Sequence, residues 1–251
     1  MKRRKVLDAA GMALSTPFVG CLGGSNTAGD GKNETDDDNE ETESEPGDDT
    51  VTNPKEVEED PRVDEPPHEI EEPDEPDDLE DPSWNEEYLG ENIDPDPSVS
   101  FDRIPVPRGY VQSPPLGPEL DYPAKVFRVE VVTNEDDFGE TFDVAEMDEE
   151  LRDRLNVVDF DASVIVLVET GLGSSSVEHR WVRVEEVDYS LHLHGYYTDP
   201  YEQHDDIDTR FSVLEIERPA TGFEFARVSL TINAEQRGHF NSTEGDVVLE
   251  K

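Results

Sequence analysis

A single cysteine, Cys21, stands among the 251 residues. A lone thiol forms no internal disulfide and supplies no Cys/His metal spacing. Lysine is nearly as scarce: in residues 101–251 only Lys125 and Lys251 accompany 11 arginines. Outside the first few residues there is no basic patch, which excludes a nucleic-acid surface. Long hydrophobic runs are missing too. The mostly apolar stretch Ala9 to Gly20 has 12 residues, whereas crossing a ~30 Å hydrocarbon core takes about 20. Nor does the chain carry an HExxH motif, or a Gly-x-Ser-x-Gly elbow around Ser174, Ser175 and Ser176.

The first 21 residues have the layout of an export signal. Lys2, Arg3, Arg4 and Lys5 form a basic start, and the 12-residue apolar stretch fits a signal-peptide core. Arg3-Arg4-Lys5-Val6-Leu7 resembles the twin-arginine signal. Phe18-Val19-Gly20-Cys21 resembles a lipobox, in which the cysteine becomes the first mature residue and carries the lipid; Phe18 stands where an aliphatic residue is usual. The resemblance implies export through Arg3 and Arg4, lipidation of Cys21, and anchoring to the outer face of the cell membrane. An uncleaved terminal helix is the alternative.

Acidity dominates the remainder. Residues 22–100 carry 3 basic and 31 acidic side chains, and residues 101–251 carry 13 and 33, within a total net charge of −45. A domain so charged repels itself at low salt. At molar salt the Debye length falls to about 3 Å and the repulsion is screened. Acidic composition with few lysines resembles proteins of salt-loving archaea, and the leader resembles their exported lipoproteins. Residues 22–100 are rich in Asp, Glu and Pro, and poor in apolar residues, so they are expected to form a disordered stalk. Trp84, Tyr88 and Leu89 interrupt it as a small apolar island, which either docks on the domain or stands as a short helix.

Residues 101–251 read as one β-rich domain. Residues 125–133 alternate and predict a strand; the continuous apolar run 162–170 predicts a central, doubly covered one. Further strands are expected over 177–187, 190–198, 210–217 and 225–233, with a tight turn near Asp188-Tyr189 and a hairpin-like ending around Asn241. Met147, Leu151 and Leu155 recur at four-residue steps, predicting one helix over 143–155 with Asp143 as its N-cap. The fold class is mainly β: an antiparallel sandwich or half-open barrel of about seven strands with one helix. The run from Asp161 through Pro219 is similar to the C-terminal domain of a bacterial protease-complex accessory subunit, which implies a protein-binding β module.

Three constellations could carry chemistry. His192 and His194, at i and i+2 of a strand, share a face, and His179 on the preceding strand could lie across from them; three imidazoles suit zinc or another transition metal. The alternative is an ordinary polar sheet face. Residues 195–208 crowd Tyr196, Tyr197, Tyr201 and His204 among Asp199, Asp205, Asp206 and Asp208, a sugar or cation site or a solvated acidic loop. Asn33 and Asn241 fit the glycosylation sequon. The expectation is an exported, lipid-anchored surface protein with a non-enzymatic binding or interaction module. Its partners would be the membrane through Cys21 and a protein or carbohydrate, with no cofactor. The rival is a small metal-binding or hydrolytic protein using the His179/His192/His194 face.

Overall fold

The structure is a computed structural model that describes residues 56–76, 84–116, 125–220 and 222–249, all within one compact unit, Thr50–Lys251. The leader with Arg3, Arg4 and Cys21, the sequon at Asn33 and the first part of the expected stalk lie outside the described residues.

Two five-stranded sheets face each other. The first has the order β1 (Val63–Asp64), β9 (Gln236–Asn241), β8 (Phe225–Asn233), β6 (Ser190–Tyr197), β5 (His179–Val187). The second has the order β10 (Val247–Val248), β3 (Val126–Val132), β4 (Ser163–Ser174), β7 (Ile207–Glu217), β2 (Phe101–Ile104). The mainly β class therefore holds, as a sandwich. All neighbours are antiparallel except β6 and β8, which run parallel. The chain crosses to the second sheet for β7 between them and so reverses direction twice.

The apolar run in β4 becomes the middle of the molecule because it is apolar on both faces. Val164, Val166 and Val168 point into the core between the sheets, with Leu193, Val228 and Phe240 opposite. Ile165 and Leu167 point the other way, into a second core under the helices. At roughly 1.5–3 kcal/mol for each fully buried aliphatic side chain, these five positions together contribute about 8–15 kcal/mol to burial. The second core holds Met147, Leu151 and Leu155, the stripe expected of a helix.

That helix, α2 (Glu149–Asn156), is shorter than expected. Its N-cap is Asp148, whose side chain accepts from Leu151 N at 2.8 Å, and not Asp143. A second helix, α1 (Glu135–Thr141), precedes it where none was expected. Phe138 is its only large apolar residue, so it has no stripe to detect. It is held instead by its start: Asn134 caps the Asp137 N–H, and three acids occupy the first turn, where the helix dipole favours negative charge. The ending is not a hairpin either, since β9 pairs with β8 and β1 while β10 crosses to β3 of the second sheet.

The largest departure concerns residues 56–76 and 84–100. Expected as part of a disordered stalk, they are laid along the first sheet. β1 adds an edge strand to β9. Tyr88 and Leu89 are buried with Tyr196 on the outer face, and a side chain at Gly90 would collide with the Tyr196 ring. Acids in this segment meet arginines of the domain, Asp64 holding Arg237 bidentately at 3.0 and 2.8 Å and Glu59 meeting Arg227 at 2.7 Å, while the segment's own Arg62 meets Glu244 of the domain at 2.7 Å. Paired carboxylates do not stretch the chain, which is why net acidity misjudged this stretch.

Candidate functional site

The three histidines do not form one site. His179 points inward. It is 1% exposed, with Nε2 2.8 Å from Thr170 Oγ1, Nδ1 2.9 Å from Ser212 Oγ, and its ring stacked on Tyr197. Tyr197 O–H donates to Thr170 Oγ1, so the threonine hydroxyl is free to donate onward to Nε2 and the His179 Nδ1–H to Ser212. Burial, with Arg210 and Arg103 nearby, lowers its pKa to about 3. It is a neutral core histidine on the wrong face for metal.

His192 and His194 do share the outer face, because Leu191 and Leu193 alternate into the core. Their ring centres are 4.1 Å apart. The third member of the group is Glu185, directly opposite His192 across the β5–β6 hairpin. One donor atom from each of Glu185, His192 and His194 lies within 4.8 Å of the others. Burial pushes His192 down to about 2 and His194 to about 4, so both imidazoles are neutral. Behind His192 runs a chain of hydrogen bonds: Nε2 to Ser229 Oγ at 2.8 Å, Ser229 Oγ to His239 Nδ1 at 2.8 Å, and His239 Nε2 to Asp64 Oδ1 at 3.0 Å. Burial alone would raise Asp64, but its bonds to Arg237 and His239 outweigh this and leave it lowered.

A cavity of about 320 Å³ opens at the end of the sandwich where β6, β8 and β10 finish and β3, β7 and β9 begin. Phe127, Val177, Tyr197 and Leu249 form its apolar wall, and Asp199, Gln203, Asn233 and Gln236 its polar one. Its cations are Lys125 and Arg210. In this acidic chain nine described arginines pair with a carboxylate. Arg152 and Arg218 donate to backbone carbonyls. Among the described residues, Lys125 and Arg210 have neither kind of partner. The Arg210 guanidinium lies 4.6 Å from the Tyr197 ring centre, and its buried Nε makes no hydrogen bond.

The aromatic and acidic loop is used structurally. Asp199 accepts Tyr88 O–H through Oδ2 at 2.8 Å and Trp84 Nε1–H through its carbonyl at 2.8 Å, and Tyr201 donates to Glu75 at 2.8 Å. Ser174 and Ser175 hold the same loop, through the His204 carbonyl at 2.9 Å and Asp206 at 2.7 Å. Asp205, Asp206 and Asp208 do not meet in the described cation-ligand group. Asn241 is not exposed as a glycan acceptor must be. It is 0% exposed, and its Nδ2 donates to the Val57 carbonyl at 2.7 Å and Glu59 at 2.8 Å.

Glu185 was within reach of sequence reasoning. A two-residue turn at Asp188-Tyr189 sets Val187 against Ser190, and counting back sets Glu185 against His192. Ser229, His239 and Asp64 come from strands far away in the chain and left no local signal. No protein family matches this chain, and neither characterised proteins nor solved structures return a match.

Proposed function

We propose that this chain is an exported, lipid-anchored protein of the outer face of the cell membrane, whose sandwich is a non-enzymatic binding module for a small anionic group. The observation that carries the binding role is the end cavity. Among the described residues, two cations of this acidic protein have neither a carboxylate nor a carbonyl partner, and both line the same concave site. Desolvating an unpaired guanidinium is costly, so such a site favours an anion. The amides of Gln203, Asn233 and Gln236 add donors and acceptors beside an apolar wall, a lining suited to a carboxylate-bearing sugar. The anchor rests on the leader residues, with Arg3 and Arg4 as the export signal and Cys21 as the lipidated residue.

Two experiments test the two halves. Cys21→Ser is expected to move the protein from the membrane fraction to the medium; retention in the membrane refutes the anchor. Glucuronate, titrated against the full chain by nuclear magnetic resonance in molar salt, is expected to shift the signals of Tyr197 and Phe127. The shifts are expected to disappear in Arg210→Gln. Saturable shifts unchanged by that substitution, or no shifts at millimolar ligand, refute the cavity as an anion site.

A further inference from the structure

We propose that Glu185, His192 and His194 form a site for a divalent transition-metal ion, independent of the end cavity. The geometry points there through three separate observations. First, the donor set is two imidazoles and one carboxylate on adjacent, hydrogen-bonded strands, converging within 4.8 Å. This set suits Zn²⁺, Ni²⁺ or Cu²⁺ and leaves coordination positions open for water.

Second, His194 Nε2 is buried without a hydrogen bond. Glu185 Oε1 lies 2.6 Å from it but off the line that an N–H would take. A buried ring nitrogen left in this way is costly. An ion would engage both atoms and open their separation to roughly 3.3 Å, the spacing of two ligands about 2.0–2.1 Å from a shared tetrahedral centre.

Third, the outer shell has the form that metal histidines use. Asp64 Oδ1 lies 3.0 Å from His239 Nε2, and Ser229 Oγ bridges His239 Nδ1 and His192 Nε2 at 2.8 Å each. That chain occupies Nε2 of His192 and leaves Nδ1 as the ring nitrogen open to an ion. A carboxylate-backed relay of this kind fixes a ligand and raises its basicity. Glu185 Oε1 also accepts from Arg183 at 3.0 Å, and Arg183 reaches the carbonyl of Asp94 at 3.1 Å. The guanidinium therefore competes with the ion for Glu185, yet retains a second partner when displaced.

The test uses the full chain, stripped by chelator and titrated with Zn²⁺ by calorimetry in molar salt. One equivalent is expected to bind. Binding is expected to vanish in His194→Ala and in Glu185→Gln, and to weaken roughly tenfold or more in Ser229→Ala. It is expected to tighten in Arg183→Gln and to stay unchanged in the exposed control His204→Ala. No uptake by the unsubstituted protein overturns the proposal, as does unchanged uptake in a His194→Ala variant with a native circular-dichroism spectrum. Should that variant unfold, Co²⁺ bound to the unsubstituted protein decides. Intense visible bands of an imidazole-ligated, low-coordinate ion are expected, and the weak spectrum of hydrated cobalt overturns the site.

Discussion

His179 makes the stability of the sandwich depend on pH in a way a single substitution isolates. Its ring is buried between the sheets, and its pKa is depressed to about 3. In the unfolded chain it returns to about 6.5. Below that value the unfolded state takes up a proton that the folded state refuses. Stability from this residue is therefore fully present above about pH 6.5 and falls as the pH drops toward 3. At pH 5 the gap to the unfolded value is about 1.5 units, worth about 2 kcal/mol at 1.36 kcal/mol per unit. Protonation would also put an N–H against Thr170 Oγ1, which already accepts from Tyr197 and whose own proton would lose its acceptor. The perturbation is His179→Gln, which keeps a donor and an acceptor for Thr170 and Ser212 but does not titrate. Urea unfolding of both proteins at pH 7.5 and pH 5, in molar salt, gives two losses of stability. Carboxylates and the other histidines contribute to both and cancel in the difference. The parent is expected to lose about 2 kcal/mol more than the variant. Equal losses would refute the reasoning, because they would mean that His179 charges in place or that the core admits water to it.

Glu169, 3% exposed, accepts from Arg108 at 2.9 Å and from Leu116 N at 2.9 Å, with Arg128 3.5 Å away. Glu169→Ala leaves two arginines beside a buried gap and is expected to cost about 3–5 kcal/mol in urea unfolding. Leu155, 1% exposed under the second sheet, is expected to cost about 2–5 kcal/mol as Leu155→Ala, with no change in zinc uptake. Tyr88→Ala removes a buried ring and the Asp199 bond. Limited proteolysis is expected to cut the variant within 84–100 while the sandwich survives, and joint loss of both would show that the segment and the sheets are one cooperative unit.

The strands were legible wherever one face is wet and the other dry, and β4 was legible for the opposite reason, being apolar throughout. The face shared by His192 and His194 followed from alternation, but the assignment of His179 to it did not survive. That residue pairs with Tyr197 at the far end of the hairpin, beyond an irregularity between Trp181 and Arg183 that turns its side chain inward. Pattern reading assumes an unbroken period of two, and one irregularity reverses every face beyond it. The segment before residue 101 failed for a different reason. Its ion pairs join partners 168 to 182 residues apart, and composition averaged over a window carries no trace of a partner so distant. Lys125 and Arg210 became notable only once the partners of the other cations were known.

The crossing of β7 between the parallel strands β6 and β8 governs how the chain can reach this state. The first sheet cannot close until a strand of the second has been laid down, and the second cannot be finished before the chain has left the first. No contiguous half of the sequence contains a whole sheet, so a fragment ending after β6 or beginning at β8 has no core of its own. Assembly must close several long loops together before burial rewards any of them, which places folding toward the slow, millisecond-to-second end for β proteins. A protein built this way yields no stable half when cut in the span from β6 to β8.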